Sequence, residues 1–592
     1  MATKLEMTVT VLVLIAIIVS ASSLYYITSV IGPLTETMTD VTSRLAHIEE
    51  LLGELSPPPE IKEDFIIAFQ SDAAGIEICY THSGDHMALA SQFNMYDTLL
   101  NCKIEKDPET GAWVTTVTSE GVAEYVPGLI ESWEHNEDYT TWTLHVRKNA
   151  KFHSGNEVNA TSLRWAIVNY DLDSWCAWYW GMAGYEPLFD FEHVKDSIEV
   201  VDEYTLRFHL DFPNTNFLSY LTGTGALMVD WSYILSQGGV NKMAPTEWFS
   251  KSEAGSGPFK LVSWERGKEM VFERFEDYWG PKPEIKRLVF KVIPEMETAM
   301  MMLEKGEIDA IFSVPPEHVE YLDAKPNIKV IGYPSMENVL ISFNLNETLD
   351  GKDNPLSDRK VREALQYTFP QKNFIKEILY GRAITSRSCL PVGYEAYTGE
   401  YWDPEERFDL DKAKELLSES GYPDGFETEI IIGEGRVPNN KDIAVVWQEQ
   451  LAQIGVTLNI RVLPMPQFTT LTINRNAAPI YLTAGTAYVQ DPLYSDFWWF
   501  HPDGTVNYAN LNDTDWVNLF NEAMIEEDLD QRTELSHQMQ RILIDRGYIL
   551  PLFVRYRDCA MNINTKDYFF HWNLVFLAYH AGIGPHVEIP TE

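Results

Sequence analysis

Strand and helix patterns alternate along most of this chain, and residues 428–463 show the alternation most clearly. An apolar, β-branched run over 428–432 and a second run over 456–463 predict two strands. The segment between them, 441–454, predicts a helix with these residues on one side: Ile443, Val446, Trp447, Leu451 and Ile454. Gly455 follows as a helix stop. Strand, helix and strand in this order form a βαβ unit, which restricts the chain to an α/β fold.

Other segments extend the pattern beyond this unit. Alternating apolar residues predict half-buried strands over 203–210 and 142–146. Asp409 is placed to cap a helix that ends just before Gly421. At roughly 150 residues per domain, a length of 592 residues suggests about four packing units.

The charge balance excludes whole classes of partner. Lysine and arginine number 45 and aspartate and glutamate 88, so the formal net charge is −43. A surface of this sign repels nucleic acid and anionic lipid, so neither DNA nor RNA binding is expected. Hydrophobic residues at 45% and aromatic residues at 12% exclude a wholly disordered chain.

Motifs for metal, redox and hydrolytic chemistry are weak or missing from the sequence. The five cysteines, at 79, 102, 176, 389 and 559, have no CxxC spacing, so neither a zinc ribbon nor a redox dithiol is predicted. One or two disulfides are compatible with export of the chain, and five buried thiols are the alternative. His82 and His86 flank a loop-like Ser-Gly-Asp, which disfavours a metal site. No GxSxG or HExxH motif occurs, so we expect no enzyme and no cofactor.

The N-terminal region predicts attachment to a membrane. Residues 7–35 contain no charge, and this run is long enough to cross a hydrocarbon layer of about 30 Å. A cleaved secretory signal, with small residues at 20–23, is the alternative. We expect 1–30 to form a cytoplasmic tip and a transmembrane anchor. Lys4 is the basic residue near the run, so the N-terminus is predicted in the cytoplasm and the rest of the protein outside the cell.

Residues 31–60 predict a helical stalk and a proline-rich spacer. Nine apolar residues alternate at spacings of four and three, as in a coiled coil: Ile27, Ile31, Leu34, Met38, Val41, Leu45, Ile48, Leu52 and Leu55. A parallel homo-oligomer through this stalk is therefore a hypothesis. The alternative is a single amphipathic helix that lies on its own globular part. Three prolines at 57–59 end the pattern as a stiff spacer.

A series of short motifs spans about residues 64–570. In chain order they are YDTLL at 96–100, VPGLIESW at 126–133, WTLHVRKNAKFHSG at 142–155, GSGPFKLV at 255–262, DYWG at 277–280, LEKGEID at 303–309, VREAL at 361–365 and AKELLSESGYPDG at 413–425. In this order the motifs resemble those of the family 5 extracellular solute-binding proteins. Members of that family are the dipeptide, oligopeptide and nickel receptors of ABC importers.

The resemblance implies a two-lobed periplasmic-binding-protein-like fold that closes around its ligand. Lobe 1 is expected at 61–335 and lobe 2 at 336–550, and 551–592 would return to lobe 1. The two chain crossings are expected near 331–340 and 548–558. The resemblance also implies a receptor that captures a small soluble ligand and delivers it to the permease subunits of an ABC importer.

In peptide-binding relatives, one strand lies along the peptide, and an aspartate at its end pairs with the peptide amine. The corresponding strand here is 479–488. Aligning on Asp491 and Pro492 places Tyr488 where those relatives have the aspartate. The amine-binding carboxylate is therefore missing, and affinity is not expected to depend on a free amine. Asp491 either substitutes for it or caps the next helix.

Aromatic residues form a second candidate ligand surface. The candidate contacts on the strand and turn are Gly485, Thr486, Ala487, Tyr488 and Asp491, and the aromatic candidates are Trp178, Trp180, Trp498 and Trp499. Flat rings suit sugars as well as apolar side chains, so an oligosaccharide is the alternative to an oligopeptide. Core packing is the alternative for each tryptophan. Two alternatives are functions of another class. One is an anchored oligomeric scaffold. The other is a glycoside hydrolase, although the sequence singles out no carboxylate pair for it.

Overall fold

The computed structural model describes most of the chain after residue 62. The described residues are 63–78, 85–106, 113–115, 124–172, 177–185, 190–238, 248, 252–392, 394, 396–404, 406–434, 437, 439–473, 475, 478–486, 489, 491–565, 569–571 and 575–577. The predicted anchor (1–30) and stalk (31–60) lie outside this set. Within it, no helix is long and apolar enough to cross a membrane. From Glu63 onward the chain forms one compact unit.

Strands and helices alternate through this unit. The strands are β1 Asp64–Phe69, β2 Leu100–Cys102, β3 Ile104–Lys106, β4 Trp113–Thr115, β5 Tyr125–Pro127, β6 Ile130–His135, β7 Thr141–Val146, β8 Ile198–Asp202, β9 Thr205–His209, β10 Phe259–Glu265, β11 Glu269–Arg274, β12 Arg287–Val292, β13 Ala310–Ile311, β14 Ile328–Phe343, β15 Thr348–Leu349, β16 Lys352–Asp353, β17 Ala383–Thr385, β18 Glu427–Gly433, β19 Thr457–Leu463, β20 Ile480–Thr486, β21 Ile549–Asn562, β22 Phe569–His571 and β23 Val575–Leu577. The helices are α1 His86–Met95, α2 Ala160–Ala166, α3 Ala177–Gly181, α4 Phe191–Asp196, α5 Trp231–Ser236, α6 Met296–Glu304, α7 Pro316–Asp323, α8 Arg359–Gln366, α9 Gln371–Glu377, α10 Leu410–Glu419, α11 Asn440–Ala452, α12 Met465–Ile473, α13 Pro492–Phe500, α14 Thr514–Met524 and α15 Leu529–Asp545.

The largest sheet has 11 strands and mixed direction. Its order is β10-β11-β12-β1-β13-β21-β14-β20-β18-β19, and β17 also pairs with β21. β1 runs parallel to β12 and β13, and β18 runs parallel to β19 and β20. A separate four-stranded antiparallel sheet has the order β6-β7-β9-β8. Parallel pairs with helices between them confirm the predicted α/β class.

The predicted βαβ unit is confirmed as β18, α11 and β19. The two strands pair in parallel from Glu427 opposite Thr457 to Gly433 opposite Leu463. Gly455 adopts φ +80°, a left-handed conformation that glycine reaches without steric strain and that ends a helix. The predicted strands over 142–146 and 203–210 correspond to β7 and β9, which pair with each other.

Two long strands, β14 and β21, connect the two halves of the large sheet. They contain 16 and 14 residues and pair antiparallel, with an interruption of register between Pro334 and Asn338. Both predicted crossings, near 331–340 and 548–558, fall largely within these strands. The lobe boundaries themselves stay a prediction.

Three of the motifs from the sequence meet at one buried carboxylate, that of Asp97. It accepts hydrogen bonds from the Tyr278 hydroxyl (2.9 Å), the Trp279 Nε1–H (2.9 Å) and the Ser256 hydroxyl (3.0 Å). Burial raises the pKa of Asp97 to about 6, and the three hydrogen bonds oppose that rise. These motifs therefore hold distant segments of the chain together through Asp97, and their role here is structural.

Three of the five cysteines can be assigned. Cys102, Cys389 and Cys559 are free and buried, in agreement with the alternative of buried thiols. Cys79 and Cys176 lie outside the described residues, so a disulfide between those two stays open. His82 is also outside them, and no group of three or more potential metal ligands occurs in the part of the chain that the structure describes.

Candidate ligand-binding site

The candidate site lies where β20 leads into α13. β20 pairs antiparallel with β14, so Gly485 lies opposite Asn338 and Thr486 opposite Glu337. On its other side β20 pairs with β18. Ala487 and Tyr488 lie outside the described residues, and so does the side chain of Thr486. Their predicted ligand contacts therefore stay predictions.

Asp491 caps α13, as one of the two interpretations of its sequence position predicted. Its Oδ1 accepts a hydrogen bond from the Leu493 backbone N–H at 3.0 Å. The Arg532 guanidinium lies 2.9 Å from both carboxylate oxygens, and the Tyr220 hydroxyl donates to Oδ2 at 3.1 Å. Asp491 is 1% exposed. Its charge is already matched inside the protein, so it is a poor substitute for a ligand-binding carboxylate.

Tyrosines join the same region to the earlier part of the chain. The Tyr494 ring on α13 meets the edges of Tyr179 and Tyr220, with centroids 5.7 and 6.2 Å apart. Tyr179 and Tyr220 also contact each other at 5.6 Å. Together with the Tyr220–Asp491 hydrogen bond, these rings connect predicted lobe 1 to predicted lobe 2.

The four candidate tryptophans occupy different surroundings. Trp180 is fully buried, stacks on Phe208 at 5.8 Å and donates from Nε1 to Asp171 at 3.2 Å. It is therefore a core residue in this conformation, because no face of its ring is open to a ligand. This agrees with core packing, the alternative given for each tryptophan, and the expected ligand contact of Trp180 stays a prediction. The side chain of Trp178 lies outside the described residues.

Trp498 and Trp499 are half-buried and lie on α13. Trp498 packs on Tyr494 at 6.1 Å, and Trp499 packs on Tyr508 at 6.0 Å. Trp499 also covers Gly485, where a Cβ would lie 3.4 Å from the indole Nε1. Both rings are thus held beside the end of β20, and a ligand contact for either stays a prediction.

A small cavity lies between α13, β20 and β14. Its volume is ≈ 20 Å³, counted as the space open to the centre of a water molecule, which is room for about one water-sized group. Its walls are formed by Leu340, residues 389–391, Gly485, Ser495, Asp496, Trp499 and Phe500. Most of this lining is apolar.

Asp496 is the carboxylic acid in this lining, and sequence reasoning missed it. Its side chain is fully buried, and neither of its carboxylate oxygens has a hydrogen-bond partner among the described residues. Burial raises the pKa of Asp496 well above its ordinary value, and the nearby charge of Asp491 adds to that rise. In the sequence, Asp496 can be noticed as the one acidic residue in the aromatic-rich run Tyr-Ser-Asp-Phe-Trp-Trp-Phe, residues 494–500.

A second buried cluster of charges lies where β14 and β21 lose their register. The Arg555 guanidinium donates to Glu337 at 2.8 Å, and both side chains are about nine-tenths buried. Burial opposes ionisation of Glu337, but the charges of Arg555 and Arg557 outweigh it and lower the pKa of Glu337 to about 2. Arg557 also contacts His86, whose pKa is lowered by burial and by that charge.

Comparisons with known proteins agree with this architecture. A sequence profile described as bacterial extracellular solute-binding proteins, family 5 (middle), matches residues 124–507. The heme-binding protein A of Haemophilus influenzae is 26% identical over 461 residues, covering 76% of this chain and 82% of that protein. The dipeptide-binding protein of Escherichia coli is 27% identical over 354 residues, covering 57% and 64%.

A solved structure matches nearly the whole of the unit. It is the ABC-transporter-associated periplasmic binding protein DppA from Helicobacter pylori in complex with the peptide STSA. Sequence identity is 25% and the TM-score 0.69, over 87% of this chain and 98% of that one. A substrate-binding protein of an ABC transporter from Listeria monocytogenes gives a TM-score of 0.72 at 20% identity, over 89% and 100%. At that identity the second likeness shows the fold alone.

Proposed function

The chain belongs to family 5 of the bacterial extracellular solute-binding proteins, and on that premise we propose that it is the extracellular receptor of an ABC importer for oligopeptides. One observation carries the choice of ligand. The Helicobacter pylori protein, whose structure holds a peptide, shares its fold with this chain over 98% of its length. The Escherichia coli relative is named as a dipeptide-binding protein, which agrees with this choice.

An oligosaccharide ligand and an enzymatic activity are both less well supported than peptide binding. The oligosaccharide alternative rested on aromatic rings, and Trp180 is a core residue while Trp498 and Trp499 pack on protein rings. The relatives named above are binding proteins, which is consistent with a chain that is not an enzyme.

We propose that ligand capture uses a hinge in β14 and β21. These strands carry the chain between predicted lobes, and their register is interrupted between Pro334 and Asn338. The described cavity has room for about one water-sized group, so a peptide enters only after the contacts of Tyr220 and Tyr494 separate. Closure around the peptide then gives the importer a surface that differs from that of the free receptor.

The test is binding without turnover. The full chain is titrated with a mixed library of dipeptides to hexapeptides, and bound species are identified by native mass spectrometry. We expect peptides to bind, to be recovered intact, and to reduce the radius of gyration of the fragment 61–592 in X-ray scattering. Recovery of cleaved peptides, or binding of oligosaccharides in preference to peptides, would contradict the proposal.

A second part of the proposal concerns membrane attachment and oligomerisation through the N-terminal region. We propose that residues 1–30 anchor the receptor in the cell membrane with its N-terminus in the cytoplasm, and that 31–60 join receptors into a parallel homo-oligomer. Support comes from the uncharged run over 7–35 and the heptad spacing, both read from the sequence. Anchoring would keep the receptor close to its permease and raise the local concentration of stalks.

A further inference from the structure

A buried carboxylate without a partner needs an explanation, and Asp496 is such a group. A carboxyl group withdrawn from water destabilises the fold unless it is neutralised or paired. Asp491, five positions earlier on the same helix end, has Arg532, Tyr220 and a backbone N–H as partners. Asp496 has none of these, and the described residues offer neither of its oxygens a donor.

The surroundings of Asp496 fit one kind of partner. The cavity beside it admits about one water-sized group, which is the size of an ammonium group. The other walls include Ser495 and apolar or aromatic side chains such as Leu340, Trp499 and Phe500, so a cation there would meet aromatic rings and a carboxylate in a largely apolar site. An anion would meet the carboxylate and be repelled.

A second unpartnered acceptor lies on β14, the strand that also contributes Leu340 to the cavity wall. Asn338 is fully buried, and its Nδ2 donates to the carbonyl oxygens of Ser388 (2.9 Å) and Cys389 (2.8 Å). That leaves its Oδ1 without a hydrogen-bond partner among the described residues. Asn338 is paired across the strands with Gly485, and both Gly485 and Cys389 line the cavity. An ammonium group has three N–H donors, and the two carboxylate oxygens of Asp496 can accept two of them.

We infer that Asp496 binds the primary ammonium group of the ligand and makes this receptor selective for peptides with a free amine. The inference rests on the proposed peptide function and deepens it. It reverses the expectation drawn from Tyr488, because a carboxylate absent from the end of the strand is supplied from the next helix. The N-terminal amine and a lysine side chain share this chemistry, and the experiment separates them.

The experiment is calorimetric titration of the full chain in detergent with three peptides. They are tetra-alanine, N-acetyl-tetra-alanine, and N-acetyl-tetra-alanine with lysine at its second position. We expect tetra-alanine to bind roughly 10- to 100-fold more tightly than its acetylated form, as for a charge-assisted hydrogen bond in a dry site. Recovery of affinity by the lysine peptide would assign the site to a side-chain amine, and failure to recover it would assign the site to the N-terminus.

Asp496→Asn keeps the shape of the side chain and removes its charge, so it should abolish the preference for the free amine. Asp171→Asn is the matched control, because Asp171 is also a buried aspartate but receives the Trp180 N–H. That variant should keep the preference. Equal affinity of the parent for free and acetylated peptides, or a preference retained by Asp496→Asn, would overturn the inference and leave the peptide function standing. Binding of none of the three peptides would overturn both.

Proton release provides a readout that does not depend on a folded variant. Two titratable groups interact with Asp496: Asp491 on its own helix end and Cys389 on the segment packed against it. Arg532 is paired with Asp491. Ammonium binding requires ionised Asp496, so the parent should release a proton, and the binding heat of tetra-alanine should change with the ionisation enthalpy of the buffer.

Discussion

Asp491 and Asp496 stand five residues apart at one helix, both are buried, and their chemistry differs. The role of Asp491 as a cap was open to prediction because capping depends on the residues that follow it directly. The burial of Asp496 depends on Leu340 and on residues 389–391, which are more than 100 positions away in the chain. Local sequence patterns carry no information on such packing, so this half of the site could not be predicted.

The first prediction concerns the stability of the protein without ligand. Asp496→Asn should be more stable than the parent at pH 7, by on the order of 1–3 kcal/mol, because it removes a buried carboxyl group that resists ionisation. The folded-state pKa is raised, so the parent loses stability as pH rises above the ordinary aspartate pKa of 3.8. The difference should therefore vanish near pH 4. Urea unfolding at both pH values measures it, and a variant less stable than the parent at pH 7 would contradict it.

The second prediction concerns the Glu337–Arg555 ion pair. Glu337→Gln should lose about 3 kcal/mol at pH 7, because the folded-state pKa lies near 2 and the ordinary value is 4.5. This contribution is present above pH 4.5 and disappears as pH falls towards 2, so the difference from the parent should shrink over that range. The matched control is Glu419→Gln, which breaks a solvent-exposed pair with Lys360 and should change the stability little, because water and salt screen that pair. Equal losses in both variants would argue against a buried contribution.

At the scale of elements, the parts that could be predicted are those built from neighbouring residues. The unit of β18, α11 and β19 has strands of clear pattern, a helix of clear period and Gly455 between them. The pairing of β14 with β21 joins segments about 200 residues apart, so no local pattern specifies it. The resemblance to a family places the chain crossings in these two segments, and that placement stays a prediction.

The third prediction concerns the glycines that let β10 approach α1. A Cβ on Gly257 would lie 2.6 Å from the Met95 carbonyl carbon, and backbone atoms cannot move aside as a flexible side chain can. Gly257→Ala should therefore destabilise the protein by about 1–3 kcal/mol. Gly75→Ala is the control, since a Cβ there has no neighbour within 4 Å. Thermal unfolding of both variants measures the effect, and a Gly257 variant as stable as the Gly75 variant would contradict it.

At the scale of the whole molecule, the fourth prediction concerns the stalk. The full chain in detergent should sediment as an oligomer, and a version beginning at Ile61 should be more monomeric, because an isolated helix leaves its apolar stripe in water. Leu45→Asp should abolish the difference by placing a charge in the seam. Leu45→Ile is the control that keeps the seam apolar. Identical sedimentation of the long and short versions would favour a stalk that packs on its own receptor.

The hydrogen bond from Tyr220 to Asp491 has a consequence for kinetics. It joins the two predicted lobes through a carboxylate that Arg532 also contacts, so under the proposed closure it would have to break before a bound peptide leaves. Tyr220→Phe should shorten the residence time of a peptide roughly tenfold and leave its association rate nearly unchanged. Stopped-flow fluorescence measures both rates, with exposed Tyr380→Phe as the control. The lifetime of the loaded receptor, and so its chance of meeting an importer before the peptide escapes, would then depend on a single hydroxyl group.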